Sequence, residues 1–286
     1  MARSTKKATT PPSAGVAIFK SYESVKQLAT ELRDAKQCKV WEEDSLFERG
    51  EDFQRSWCGE TLRDAFSLLD TGDAKRAAKI KAQGEILAEN TTGKMPQIVT
   101  SVQGCIPNVP NYLRGVPNNM MRVIKEPRLK PIIDLYVDST IYDGISVDEV
   151  ARKAAIIANV ITATELEGVR VNLYATCGVQ DTYRDNKCYG ICVKIKDADS
   201  PLNLLNVAFS ICNRAFCRAI FCRWMECNIS SHRMEGYGRP MKGEAVKKEF
   251  KLDGLLLSIR DLVDKHAGLE DVTKMMNEYL AVSQVV

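Results

Sequence analysis

The residues best suited to chemistry in this 286-residue chain are cations interleaved with tyrosines in three segments. Lysine and arginine follow phosphates and bases stack on tyrosine rings, so such segments are typical of single-strand binding. Taken singly, each segment fits a solvated loop equally well, and only the joint pattern favours binding. The predicted nucleic-acid-binding residues are Tyr112, Arg114, Arg122, Lys125, Arg128 and Lys130, then Tyr183, Arg184 and Lys187, then Arg233, Tyr237, Arg239 and Lys242.

The sequence offers little for catalysis. Only two histidines are present, His232 and His266, and neither adjoins a nucleophile elbow. The glycine motifs that cradle nucleotide phosphates do not occur either. We therefore predict no enzymatic activity, no catalytic residues and no cofactor. An enzyme that uses Asp134, Asp138 or a cysteine is the alternative.

The ten cysteines form no C-x-x-C pair and predict reduced thiols. Cys217, Cys222, Cys227 and His232 recur at intervals of five residues. On a helix, each step of five turns by about 140°, so the four side chains diverge, whereas zinc ligands converge on one point. We predict thiols packed in a core and no metal.

The formal net charge of +3 conceals an uneven distribution. Residues 31–70 carry eleven acidic and six basic side chains, whereas residues 214–248 carry eight basic and three acidic ones. Such a chain can present one basic face to phosphates. The first residues are polar and basic, and the apolar run near residues 154–163 is too short for a bilayer, so we expect an intracellular protein without a membrane partner.

The pattern of helices and strands predicted around these residues indicates an α/β fold. Ser146 caps a helix that lies between two apolar strands, which indicates a right-handed parallel crossover. A single long helix is expected from Pro201 to about Cys227. The strands are expected at residues 132–138, 169–175, 188–196 and 255–259, and a last helix at residues 269–283.

The chain divides into three predicted parts. Residues 1–18 form a disordered basic tail, residues 19–95 a mainly helical region and residues 96–286 the α/β core domain. A helix is expected after Ser21, and Asp73 is expected to cap a basic helix. Residues 96–121 are rich in proline, glycine and asparagine, which predicts a structured loop with short strands rather than a helix.

The end of the first core strand resembles a known motif. Asp138, Ser139 and Thr140 match the start of the D-x-S-x-S metal-adhesion motif of von Willebrand A domains, but Tyr142 replaces the final serine. The resemblance implies a von Willebrand A-like, partly parallel sheet flanked by helices, with a mostly helical N-terminal extension and without the metal.

Three further passages resemble a phage-protein family over about residues 50–280. They are SWCGET at residues 56–61, the G-x-x-P-x-V-P-x-Y-L-x-G-x-P-x-x-M pattern at residues 104–120, and the strand–helix–strand at residues 132–175 with PLNLLNVAFSICNRAFCRAIFCRWME after it. The family is that of the single-stranded-DNA-binding cofactors of early RNA polymerases in podoviruses that package a giant virion polymerase. The resemblance implies single-stranded DNA and a phage RNA polymerase as partners, in the cytoplasm of an infected bacterium, and it assigns no binding residues.

We therefore predict a single-stranded DNA-binding cofactor of a phage RNA polymerase. The alternative is a protein-interaction module whose contact surface is the Pro/Asn/Gly-rich loop together with the long cysteine-rich helix. The sequence leaves the oligomeric state open, and a homo-oligomer is among the options.

Overall fold

The computed structural model describes residues 17–35, 45, 48–88, 98–103, 106–123, 131–140, 145–181, 187–229 and 237–283. Its strands are β1 (Ala17–Tyr22), β2 (Ile98–Ser101), β3 (Ile106–Pro107), β4 (Met120–Val123), β5 (Ile132–Asp138), β6 (Arg170–Gln180), β7 (Cys188–Lys196), β8 (Arg239–Pro240) and β9 (Leu255–Ser258). Its α-helices are α1 (Val25–Asp34), α2 (Glu51–Cys58), α3 (Leu62–Thr71), α4 (Ala74–Ala88), α5 (Val109–Leu113), α6 (Val147–Leu166), α7 (Leu204–Val207), α8 (Cys222–Asn228), α9 (Gly243–Glu249), α10 (Ile259–Asp264) and α11 (Leu269–Ser283).

A six-stranded mixed sheet forms the centre of the molecule, in the order β1-β7-β6-β5-β9, with β8 paired to the end of β6. Strand β5 is parallel to both β6 and β9, and β1 is parallel to β7, whereas β7 runs antiparallel to β6. The predicted α/β fold, a partly parallel sheet flanked by helices, is confirmed and is consistent with a von Willebrand A-like fold.

Helix α6 makes the predicted crossover between β5 and β6. The hydroxyl of Ser146 accepts a hydrogen bond from the Glu149 amide at 3.1 Å, which satisfies one of the free amides of the first turn. Leu135 and Val137 of β5 and Ile161 of α6 are buried in the common core. The capping signal and the apolar spacing therefore located this unit correctly.

Strand β1 lies where the sequence predicts the start of a helix. Residues from Ala17 to Tyr22 pair with β7, and the helix begins later, after the Ser24 cap. Leu28 and Leu32 of α1 are buried in the same core as the strands of the sheet. The predicted boundary between residues 95 and 96 stays a prediction.

The predicted single helix from Pro201 to Cys227 is wrong, because it breaks at Asn213. Helix α7 continues as a π-helical turn to Cys212, and a second π-helical turn (Phe216–Phe221) leads into α8. The two arms meet at 65°. In the described part of the chain, no single helix is long and apolar enough to cross a membrane, and this bent pair meets only the length and composition requirements.

Residues 98–103 and 106–123 form a small antiparallel sheet in the order β2-β4-β3 with one short helix, α5. The predicted short strands are confirmed. The predicted absence of a helix is wrong for five residues, because the Asn108 side chain accepts a hydrogen bond from the Asn111 amide and Pro110 fits the first turn.

Asp73 connects the start of α4 with the break at Asn213. Its carboxylate accepts hydrogen bonds from the amide and guanidinium of Arg76 and from the Asn213 amide nitrogen at 3.0 Å. Burial raises the pKa of Asp73, but the hydrogen bonds from Arg76 and Asn213 outweigh it, so the pKa lies below its ordinary value.

We expect Asp73→Ala to lower the free energy of unfolding by about 3 kcal/mol at neutral pH, because three hydrogen-bond donors in a largely buried site lose their acceptor. Because the pKa is lowered, the difference from the parent protein shrinks as the pH falls through that lowered value. Urea denaturation measures both effects. The control is Asp70→Ala, which removes an exposed ion pair with Arg33, and an equal loss there would contradict the role of Asp73.

Candidate nucleic-acid interface

Three cations from three different elements line one open cavity of about 400 Å³. They are Arg239 in β8, Lys242 immediately before α9 and Arg260 in α10, and Pro240 completes the wall. Arg239 pairs with Gln180 at the carboxyl end of β6, and Arg260 follows the carboxyl end of β9. This edge of the sheet is where α/β proteins most often bind ligands.

Local packing holds the walls of this cavity in place. The Met241 amide donates a hydrogen bond to the Gly178 carbonyl at 3.1 Å. Met241 lies between Arg239 and Lys242 in the sequence, and its side chain is buried. The Ser258 hydroxyl accepts from the Asp261 amide and so caps α10, the helix that carries Arg260. Because these neighbouring residues are held by packing and hydrogen bonds, the three cations line the same cavity without a long loop first having to become ordered.

The end of β5 lies beneath the same edge and is closed to solvent. Asp138 is 1% exposed and accepts hydrogen bonds from the Thr140 amide at 3.1 Å and the Thr140 hydroxyl at 2.6 Å. The Ser258 hydroxyl lies 3.4 Å from its other oxygen. The Thr140 hydroxyl also accepts from the Gly178 amide, so the groups of the resembled motif satisfy one another. No group of three or more metal-binding side chains occurs among the described residues.

The structure places the described candidate residues in three environments. Tyr112 and Arg114 are exposed on α5, away from the walls of the basic cavity. Lys187 is half-buried where β7 begins. Tyr237 is half-buried, donates a hydrogen bond to the Glu226 carboxylate and packs 5.9 Å from the Trp57 ring, which favours a structural role over base stacking. Only Arg239 and Lys242 share the cavity.

The side chains of the remaining candidate residues lie outside the part of the chain that the structure describes. The backbone of Arg122 belongs to β4, but its side chain is outside the description. Those that lie outside the described residues are Lys125, Arg128, Lys130, Tyr183, Arg184 and Arg233. Sequence reasoning missed Arg260, although a cation immediately after the predicted buried strand, at its carboxyl end, was a signal for it.

The cysteine-rich helix pair is part of the core. Cys217 and Cys222 are buried, Cys227 is half-buried and His232 lies outside the described residues. Burial raises the pKa of the Cys58 thiol to about 12. Arg218 donates to the Trp57 carbonyl at 2.8 Å and lies over its ring, so this cation has a structural role. The cysteine side chains of this helix pair therefore pack in the core, and the alternative prediction that the pair forms part of a contact surface stays a prediction.

One family model matches the chain over residues 6–281, and its description is a domain of unknown function, DUF7192. The chain belongs to this family. No curated protein and no solved structure matches the chain. The DUF7192 match spans both the helical N-terminal region and the sheet, in agreement with their shared core.

We expect Asp138→Asn to stabilise the protein above about pH 6. Burial raises the pKa of Asp138 to about 6, so the unfolded chain ionises first and stability falls as the pH rises from about 4 towards that value. An amide keeps the acceptor for Thr140 without the buried charge, which is expected to gain about 2 kcal/mol at pH 7. The gain is expected to vanish near pH 4.

Thermal unfolding from acid to neutral pH measures this difference. The control is Asp134→Asn, at a half-buried position on the same strand where Asn172 donates to the carboxylate. Identical pH profiles for the parent protein and Asp138→Asn would contradict the assignment.

Proposed function

We propose that this protein binds single-stranded DNA without catalysing a reaction, with backbone phosphates held at the basic cavity of Arg239, Lys242 and Arg260. The observation that carries the proposal is the convergence of these three cations, from three elements, on one open cavity at the carboxyl edge of the sheet. Arginine offers a planar fork of donors that matches phosphate oxygens, and lysine adds a point charge.

A second predicted segment joins the sheet beside this cavity. The Asp181 amide donates to the Lys187 carbonyl at 2.8 Å, so the two ends of the segment at residues 182–186 meet next to the β6 residue that pairs with Arg239. Tyr183 and Arg184 belong to that segment. Tyr183 and Arg184 lie outside the described residues, so the described contribution of this segment is Lys187, a half-buried cation immediately before β7, beside the strand that pairs with Arg239.

The family resemblance of the sequence motifs supports DNA as the ligand and a phage RNA polymerase as the protein partner. A polymerase cofactor needs to hold unwound DNA without strong sequence preference. A site made of backbone-binding cations meets that need, because phosphates carry no sequence information. We extend the proposal to that role on the strength of the resemblance alone.

Fluorescence anisotropy with a labelled 40-nucleotide probe, single- and double-stranded, tests the proposal across a salt series. We expect salt-sensitive binding to the single strand and weaker binding to the duplex. The triple variant Arg239→Ala, Lys242→Ala, Arg260→Ala is expected to bind at least about tenfold more weakly. Its slope of log affinity against log salt is expected to flatten by about 2, because about 0.7 counterions are released per phosphate contact.

The matched control is Arg63→Ala, an exposed arginine on α3. Its affinity and salt slope are expected to equal those of the parent protein. Absence of binding to either probe at low salt would reject the proposal. If Arg63→Ala flattened the salt slope by about one third of the change in the triple variant, binding would follow overall charge rather than this cavity.

The alternative function, a protein-interaction module, is favoured by one observation of its own. Helix α5 exposes Tyr112 and Leu113 by 69% and 78%, which is unusual for large apolar side chains on one short helix. Retention of a protein partner at high salt, with no retention of DNA, would favour this alternative.

A further inference from the structure

The basic cavity has the size of a site for one chemical group rather than for a length of chain. Its volume is about 400 Å³, and Arg239, Lys242 and Arg260 all line it. Pockets of about 300–1,000 Å³ hold one small ligand. Single-strand sites without sequence preference are instead grooves that follow the backbone over several nucleotides. The size of the cavity therefore favours one end of a strand over a run of successive phosphates.

The three cations reach this cavity from three elements of the fold. Arg239 lies in β8, Lys242 lies immediately before α9, and Arg260 is the second residue of α10. Arg239 and Lys242 are exposed, and Arg260 is half-buried. Two planar guanidinium forks and one ammonium group can therefore donate to the same ligand. A terminal phosphate can accept from all of them, because its free oxygens point away from the strand.

A terminal phosphate also differs from a backbone phosphate in charge. A phosphomonoester carries a charge of about −1.5 to −2 at pH 7 and offers three strong acceptor oxygens. A backbone phosphodiester carries a single negative charge. The added charge and the added oxygen increase affinity only where more than one cation reaches the same phosphate. The basic cavity is such a place, because its cations share one small volume.

Asp264 moderates one of these cations. Its carboxylate lies 3.7 Å from the Arg260 Nε, one helical turn further along α10, and Asp264 is exposed. The guanidinium carries further N–H donors, so Arg260 can be held by Asp264 and still donate to a phosphate. The same carboxylate repels a bound phosphate, and the repulsion grows with the charge of that phosphate.

We propose that the basic cavity binds the terminal phosphate of a nucleic-acid strand, a phosphomonoester, in preference to the phosphodiesters within the strand. The strand itself rests on the proposed DNA-binding function, whereas the phosphate site can be tested without a strand. Inorganic phosphate and free nucleotides carry the same group, and they are expected to compete for the cavity.

Fluorescence anisotropy compares three single strands of one sequence, each 20 nucleotides long with the dye on an internal base. One carries a 5′-phosphate, one a 3′-phosphate, and one a hydroxyl group at both ends. We expect a strand phosphorylated at one of its ends to bind about tenfold more tightly than the hydroxyl-ended strand, because it adds a charge-assisted hydrogen bond. Inorganic phosphate and thymidine 5′-monophosphate are expected to displace it, and thymidine is not.

Three variants test whether the cavity is the phosphate site. The double variant Arg239→Ala, Lys242→Ala changes two exposed residues and is expected to lose the preference for phosphorylated strands. The matched control, Arg63→Ala with Lys248→Ala, removes one exposed arginine and one exposed lysine outside the cavity and is expected to keep it. Asp264→Asn is expected to increase the preference about threefold, because it removes the repelling carboxylate. Circular dichroism and melting temperature confirm that each variant is folded.

Equal affinity for phosphorylated and hydroxyl-ended strands would overturn the inference and leave the proposed function in place. A preference that persists in the double variant, or that is lost equally in its control, would also overturn it. So would an unchanged preference in Asp264→Asn. Conversely, binding of thymidine 5′-monophosphate by calorimetry, in a protein that binds no strand, would support the phosphate site and reject the proposed function. Absence of binding to every probe would reject both.

Discussion

The hydrogen bond from the Asn213 side chain to Asp73 is the contact on which the break in the cysteine-rich helix and the start of α4 both depend. A helix buried on all sides can break only if its freed backbone groups find partners. Asn213 supplies one by accepting from the Ala215 amide, while Asp73 holds the Asn213 side chain in place. The chain reaches Asp73 through Gly72, whose positive φ of 76° and near-contact with Leu205 leave no space for a side chain. The bend, the start of α4 and the turn before it therefore depend on one another.

At the carboxyl edge of the sheet, a carboxyl group is buried and positively charged side chains lie nearer the surface. Asp138 at the end of β5 is enclosed and satisfied by Thr140 and Ser258. By contrast, Arg239, which pairs with the end of β6, is exposed, and Arg260, after the end of β9, is half-buried and lies 3.7 Å from the Asp264 carboxylate. The residues that resemble a metal-binding motif thus form an internal hydrogen-bond network, and the cations lie above this network. This arrangement suits an anionic ligand better than a cationic one, and it follows from which strand ends are buried.

The sequence predicted the elements whose signals are local. Ser146 and Asp73 cap the helices that were expected, and the apolar runs of β5, β7 and β9 form strands. The sequence-based predictions failed where tertiary contacts determine the local structure. Residues of β1 form a strand because β7 offers an edge to pair with, and the long helix breaks because Asp73 lies beside it. Of the predicted site, Arg239 and Lys242 are three residues apart and were predicted as one segment, but no local pattern reveals that the pairing of β8 with β6 places them beside Arg260. Arg260 was missed because it lies outside the three cation–tyrosine segments on which the predicted site was based.

The parallel pairing of β1 with β7 has a consequence for the order of folding. The partners are distant in sequence, with Lys194 bonded to Glu23 across 171 residues. During synthesis the first strand leaves the ribosome long before its partner exists, so it stays unpaired until residue 196 is available. Such non-local pairing slows folding and leaves an apolar strand open to other chains in the interval. Strand β1 therefore waits for β7 before it can pair, although α1, which follows it directly, can form from local signals.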